Sequence, residues 1–316
     1  MKIFNKILMI GGICIVLFGS TFFVLGMYML DWNFLNLDTI ELSYGVWDSK
    51  VEQVESLEIE SIKVNTNVNF KIVPSQGDSI TVDYFYNEKI NFNIEVVSSN
   101  NELVIDFDFQ RGLWNWRPFY GLKVAFNHIE LALPVSFSGG IDIMCDNANV
   151  NLEKINSLDL NISNNNGNVN LKYVKAQSIY LKNDNGSTHL NDIDIEGNLR
   201  ITSKNGRVNL ANIVAEQISL QSENGNVKLD TVDCLVCEVN SVNGKIDIYN
   251  LDSFDIKLST KNGNINVSLK SLKSDYQISV TVSNGNSNVS EQSPQGANRK
   301  LSLSSSNGKI NVQFEA

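Results

Sequence analysis

Cys234 and Cys237 lie three residues apart in "DCLVC", a spacing that can hold zinc or run thiol–disulfide exchange. Zinc would need a second pair of ligands, and the remaining cysteines, Cys14 and Cys145, each stand alone. His128 and His189 are the only histidines, far apart in the chain and in no His-Glu-x-x-His motif. Asp192, Asp194 and Glu196 crowd one short stretch. Paired carboxylates of that kind cleave polysaccharides in some solenoid enzymes, and the same composition makes a solvated acidic turn. The sequence has no Gly-x-Ser-x-Gly elbow, Walker loop, dinucleotide fingerprint or Gly-Gly-x-Gly-x-Asp calcium repeat. The expectation is a protein that is not an enzyme and uses no cofactor or metal.

One stretch has the composition of a binding surface. "FQRGLWNWRPFYG" (109–121) sets Trp114, Trp116, Phe119 and Tyr120 beside Arg111 and Arg117. Aromatics interleaved with arginine suit a protein hot spot, a sugar-stacking platform or a membrane interface. They equally suit a lid over the end of a repeat domain, and the sequence leaves both readings open.

Net charge and the N-terminus locate the chain. A formal charge of −10 argues against nucleic acid and against docking on anionic headgroups. Four cysteines in 316 residues make no disulfide scaffold. Lys2 and Lys6 precede "ILMIGGICIVLFGSTFFVLGMYML" (7–30), a run without charge. Its 24 residues give about 36 Å of helix, enough to span a bilayer. No A-x-A cleavage site follows, so the run reads as an uncleaved anchor rather than a secretory signal. Ile13 stands where a lipoprotein box wants a small residue before Cys14. The positive-inside rule then places residues 1–6 in the cytoplasm and the bulk of the chain outside, as a single-pass protein of the cell membrane.

The second half repeats itself. The repeated seven-residue segments read NNGNVNL (165–171), DNGSTHL (184–190), KNGRVNL (204–210), ENGNVKL (223–229), VNGKIDI (242–248), KNGNINV (261–267), SNGNSNV (283–289) and SNGKINV (306–312). The corner pairs are Asn166-Gly167, Asn185-Gly186, Asn205-Gly206, Asn224-Gly225, Asn243-Gly244, Asn262-Gly263, Asn284-Gly285 and Asn307-Gly308. The glycines are spaced 19, 20, 19, 19, 19, 22 and 23 apart. "DNANVNL" (146–152), with Ala148 for glycine, is a degenerate copy, and "VNTNVNF" (64–70) reads as a further one.

Apolar positions recur with the same period: Val208, Leu210, Ile213, Ile218 and Leu220 become Val227, Leu229, Val232, Cys237 and Val239 one unit on. Each unit therefore reads as two alternating strands, a corner bearing one inward Ile or Val, and an Asn-Gly corner. An antiparallel meander with Asn-Gly hairpins and a β-solenoid both fit. The constancy of the period favours the solenoid, because stacked coils must hold register or lose the apolar ladder. In that reading the asparagines stack as a hydrogen-bonded ladder and glycine supplies φ > 0 at the corner. The register also gives Cys237 the inward place of Ile218 and Cys234 that of Ala215, so both cysteines read as small core residues.

The S-x-N-G-x-[IV]-x-[VIL] octets and the lead-in "IELALPVSFSGGIDIMCDNANVNL" (129–152) resemble the bacterial DUF4097 family of adhesins and β-strand-repeat proteins. The likeness runs from about 55 to 316, departing at Ala148, where the family usually has glycine. It implies an all-β solenoid, a transmembrane anchor of the kind many members carry, and a place at the cell envelope, in some members beside envelope-stress genes.

The expected organisation is a cytoplasmic N-terminus (1–6), a transmembrane anchor (7–30), a juxtamembrane segment (31–60), first strands and a capping region holding the aromatic loop (61–144), and the solenoid (145–316). Strands are expected at 61–75, 79–86, 91–99, 101–109 and 122–134. The function expected is contact at the bacterial envelope, with envelope proteins or wall glycan as partners. A polysaccharide-acting enzyme and a purely structural spacer are the alternatives, and the sequence does not define the oligomeric state.

Overall fold

The structure, a computed structural model, describes residues 48–55, 59–75, 77–86, 92–109 and 128–315. The proposed anchor at 7–30 lies outside these residues. No described helix is long and apolar enough to cross a membrane.

The described chain is almost all strand, wound as a β-solenoid. Strands one repeat apart pair in parallel and in register: Val208 meets Val227, Leu210 meets Leu229, and Ile218 meets Cys237, which in turn meets Ile256. The burial pattern of Val208–Asn224 alternates except at three places, 211–212, 216–217 and the closing 223–224, where two neighbouring residues both face out. Those breaks are corners. A coil thus has three sides, 208–211, 213–215 and 217–224, where the sequence predicts two strands. The residue read as a lone inward corner, Ile213, begins the short third side, with Ala215 beside it in the core.

The corner before that side has its own backbone signature. Lys154, Tyr173, Asp192, Asn212, Thr231 and Asn250 stack there with φ between 54° and 58°. A left-handed Tyr or Thr is disfavoured by its Cβ. It persists because pairing on both sides of the corner fixes the chain path. Inside, each coil buries about seven side chains in continuous columns. One aliphatic side chain so buried is worth roughly 1.5–3 kcal/mol.

The Asn-Gly corner needs glycine for a reason other than the one expected. Of the eight corner glycines only Gly167 and Gly186 lie at positive φ, 135° and 145°. What all eight share is proximity: a Cβ would fall 1.8–2.1 Å from the backbone oxygen of the corner residue in the adjacent coil. On this backbone no side chain fits at those eight positions.

The sequence order of the coils is not their spatial order. Arg299–Asn307 lies between Ile246–Asn262 and Tyr276–Asn284, pairing with both. Gly308 accordingly stacks on Gly263, and Gly285 on Gly308. At the other end Ser61–Thr66 lies between Gly140–Cys145 and Glu102–Phe109. Both ends therefore tuck a sequence-terminal coil one place inward. The outermost N-terminal strands are antiparallel: Phe92–Ser99 on Glu102–Phe109, and Ser79–Tyr86 between His128–Leu133 and Asp48–Glu55. These antiparallel strands break the solenoid's pairing rule and close its edge.

Two findings go beyond the sequence reading. Asp48–Glu55, assigned to the juxtamembrane segment, is a strand whose place is set by its partner Ser79–Tyr86. The copy at 64–70 is displaced by two residues, because Phe70 pairs with Val150 rather than with Leu152. Thr66 pairs with Cys145, so the first coil rounds its corner with one residue fewer than the next.

Gly225→Ala is expected to destabilise the fold by about 3 kcal/mol or more, since backbone oxygen must move to admit the methyl group. Gly77→Ala, with nothing within 4 Å of the new Cβ, should leave stability unchanged. Urea unfolding of both variants checks the contrast.

Candidate functional site

The feature most able to make contacts is the Asn-Gly ridge with the polar columns beside it. Nine asparagines form one hydrogen-bonded file. Asn166 donates to Asn147 at 2.7 Å, Asn185 to Asn166 at 2.9 Å, Asn205 to Asn185 at 2.8 Å and Asn224 to Asn205 at 3.0 Å. Asn243 continues to Asn224 at 2.8 Å, Asn262 to Asn243 at 2.7 Å, Asn307 to Asn262 at 2.8 Å and Asn284 to Asn307 at 2.9 Å. Each inner amide of the file donates to one neighbour and accepts from the other, and the file still faces solvent.

Just past the glycine a second file runs differently. The side-chain oxygens of Asn149, Asn168, Asn226 and Asn264 accept from the backbone N–H of Asn168, Ser187, Lys245 and Lys309 at 2.8–3.1 Å. A third has Asn170 donating to Asn151 at 2.7 Å, Asn266 to Asp247 at 2.8 Å and Asn288 to Asn311 at 2.9 Å. His189 belongs to it, its Nδ1 3.1 Å from the amide of Asn209. Charged residues join neighbouring coils within a column, as in Lys204–Asp184 at 2.7 Å. Exposed pairs of this kind contribute about 0–1 kcal/mol each.

Under the ridge runs an interior polar column. Asn164, Asn183, Ser203, Ser222, Ser241, Thr260 and Ser305 are all buried. Asn164 donates to the carbonyl of Gly167 at 3.1 Å, Asn183 to Gly186 at 3.1 Å, Thr260 to Gly244 at 3.1 Å and Ser305 to Gly263 at 3.2 Å. These bonds satisfy corner carbonyls that no strand partner reaches. The Ser, Thr or Asn three residues before glycine is the sequence signal for this column, and its role escaped sequence reasoning.

The residues singled out for chemistry lie apart. Cys234 and Cys237 are core residues of one coil, at 9% and 0% exposure. Cys145 stands in the interior polar column between Asn164 and the buried Thr66, and burial, aided by Asp146, pushes its thiol up to about 12. Asp192 accepts from Asn212 at 2.9 Å and from Asn191, while Asp194 points to Lys175 at 3.8 Å. Asp194 and Glu196 are exposed, and the three carboxylates each face separate surroundings. Arg111, Trp114, Trp116, Arg117, Phe119 and Tyr120 lie outside the described residues. Among the described residues no three His, Cys, Asp or Glu side chains gather as metal ligands.

The family model described as Toastrack DUF4097 matches residues 59–315. No curated protein matches the chain. Among solved structures, a "putative adhesin" from Bacteroides fragilis is similar at 16% identity and a TM-score of 0.44, over 85% of this chain and 97% of that one. A "putative lipid binding protein" from Parabacteroides distasonis is similar at 13% identity and a TM-score of 0.48, over the same shares. A "putative cell adhesion protein" from Clostridium sporogenes is similar at 15% identity and a TM-score of 0.24, over 85% of this chain and all of that one.

Asn185→Asp tests the ridge. Asn185 Nδ2 donates to Asn166 Oδ1 and to the carbonyl of Asn165. A carboxylate there turns both bonds into facing acceptors, at an expected loss of about 1–2 kcal/mol at neutral pH. The repulsion raises the new group's pKa in the folded state. The deficit should therefore shrink as pH falls through that raised value and level off below roughly 4, the unfolded-state pKa, where the protonated acid can donate again in both states. Urea unfolding at neutral and acidic pH reads both parts.

Proposed function

The chain belongs to the DUF4097 family, and from that footing we propose that it is a single-pass membrane protein displaying its β-solenoid outside the cell, where it works by contact. The observation that carries the reading is the surface periodicity. Side-chain donors and acceptors recur in register from coil to coil, roughly 4.8 Å apart, on a backbone in which every inner coil is braced by two others. Side chains held by their own ladders lose little further freedom when a partner docks. Such a surface suits an extended partner, an envelope protein or a wall glycan strand. The uncharged run at 7–30 with Lys2 and Lys6 before it supports anchoring, and the anchor favours an envelope-associated role over release for adhesion between cells.

The aromatic loop and the ridge are the two contact surfaces in this reading. Both are tested by placing a photoreactive residue at Trp116 or at Asn226 and irradiating living cells. A discrete envelope protein captured at Trp116 supports docking through the loop. Wall glycan captured at both positions supports binding along the coils. No capture at either position removes the contact role and leaves the spacer reading.

A further inference from the structure

We infer that Cys234 and Cys237 form a reversible disulfide across one corner of the solenoid. The two occupy consecutive inward positions on either side of the corner at Leu235. The adjacent coils hold Ala215 with Ile218, and Ser253 with Ile256, at the same places. The Cys234–Cys237 coil thus replaces both residues of the pair by sulfur, while its neighbours carry sulfur at neither. Both cysteines are free thiols and both are buried. Inward side chains that flank one corner converge on the same part of the core, and the two thiols stand close enough to act on each other, as a disulfide between them requires.

The surroundings divide the two thiols into roles. Cys237 lies sealed between Ile218 and Ile256, and the neighbouring Cys234 together with complete burial pushes its thiol well above the ordinary range. Cys234 is the less buried of the two thiols, and the neighbouring Cys237 holds it below the ordinary value against the effect of its own burial. It sits beside Leu235, which is half exposed at the corner. Cys234 is thus the attacking sulfur and Cys237 the resolving one. The oxidant is a disulfide of the glutathione or oxidoreductase class. Cys234 thiolate attacks one of its sulfurs and the other leaves as a thiol. Cys237 gives up its proton and attacks the Cys234 sulfur of the mixed disulfide, releasing the second thiol. Two protein thiols and one disulfide become one protein disulfide and two thiols.

The test uses the full chain in detergent, equilibrated with oxidised glutathione or with dithiothreitol, then alkylated in denaturant and digested with trypsin. The peptide between Lys228 and Lys245 carries both cysteines. The expected result is a peptide two hydrogens lighter and free of alkylation after oxidation, restored by the reductant. Thermal unfolding of the oxidised form should rise by roughly 2–4 °C. Cys234→Ser, which copies Ser253 at the same place in the next coil, should fold as the reduced parent does and lose both effects. Alkylation of both cysteines after oxidation of the folded chain overturns the inference, as does glutathione left on Cys234.

Discussion

Coils of this protein approach so closely at one corner that the backbone oxygen of one occupies the space a Cβ of the next would need. Everything else in the solenoid accommodates that contact. Because the corner is so tight, the flanking strands are held at ladder spacing over their full length, and inward side chains stack directly on like side chains. Because the glycine carbonyls are drawn under the corner, a column of buried hydroxyls and amides follows to meet them. Because the corner asparagines are brought level, their amides chain together along the outside.

Stacking of identical units has an intrinsic hazard, since every coil would accept one more. The chain handles its two ends by related means. Each end places a sequence-terminal coil in the second position and a later or earlier segment outside it. At the N-terminal end the outer position is completed by antiparallel strands that cannot template another parallel coil. At the C-terminal end Gln292 crosses back to pair with Ile278 and donates to the carbonyl of Lys273.

Much of this architecture was legible in the sequence, because register and alternation are properties of residue order. The Asn-Gly period, the inward ladder from Val208 to Val227, and the core placement of Cys234 and Cys237 all follow from spacing. What spacing does not carry is the reason for a residue. Glycine at the corner reads as a backbone conformation, whereas its function is to leave room. The second corner is occupied by Lys154, Tyr173, Asp192, Asn212, Thr231 and Asn250, which share no chemical type. Its left-handed backbone is imposed by the strands around it, so no residue announces it. Spacings of 22 and 23 signal longer connections near the C-terminus, yet the segments at 283 and 306 are too alike to reveal which lies inside. Asp48–Glu55 has only two apolar residues, Val51 and Val54, three apart and so on opposite faces, and it owes its strand to pairing. On the surface, the polar columns were visible as Asn and Ser content, and their division into outer ladders and an inner carbonyl-bonding column was not.

The inward placement of residues 299–314 bears on how the molecule can be made. A stack of coils ordinarily assembles as it leaves the ribosome, each new turn laid on the last. Here the turn at 276–289 is synthesised before the one that belongs beneath it. The growing chain must hold 276–289 off its final seat until residues 299–314 arrive, or lift it to let them in. The solenoid therefore cannot be completed by simple addition, and its final act of folding is an insertion.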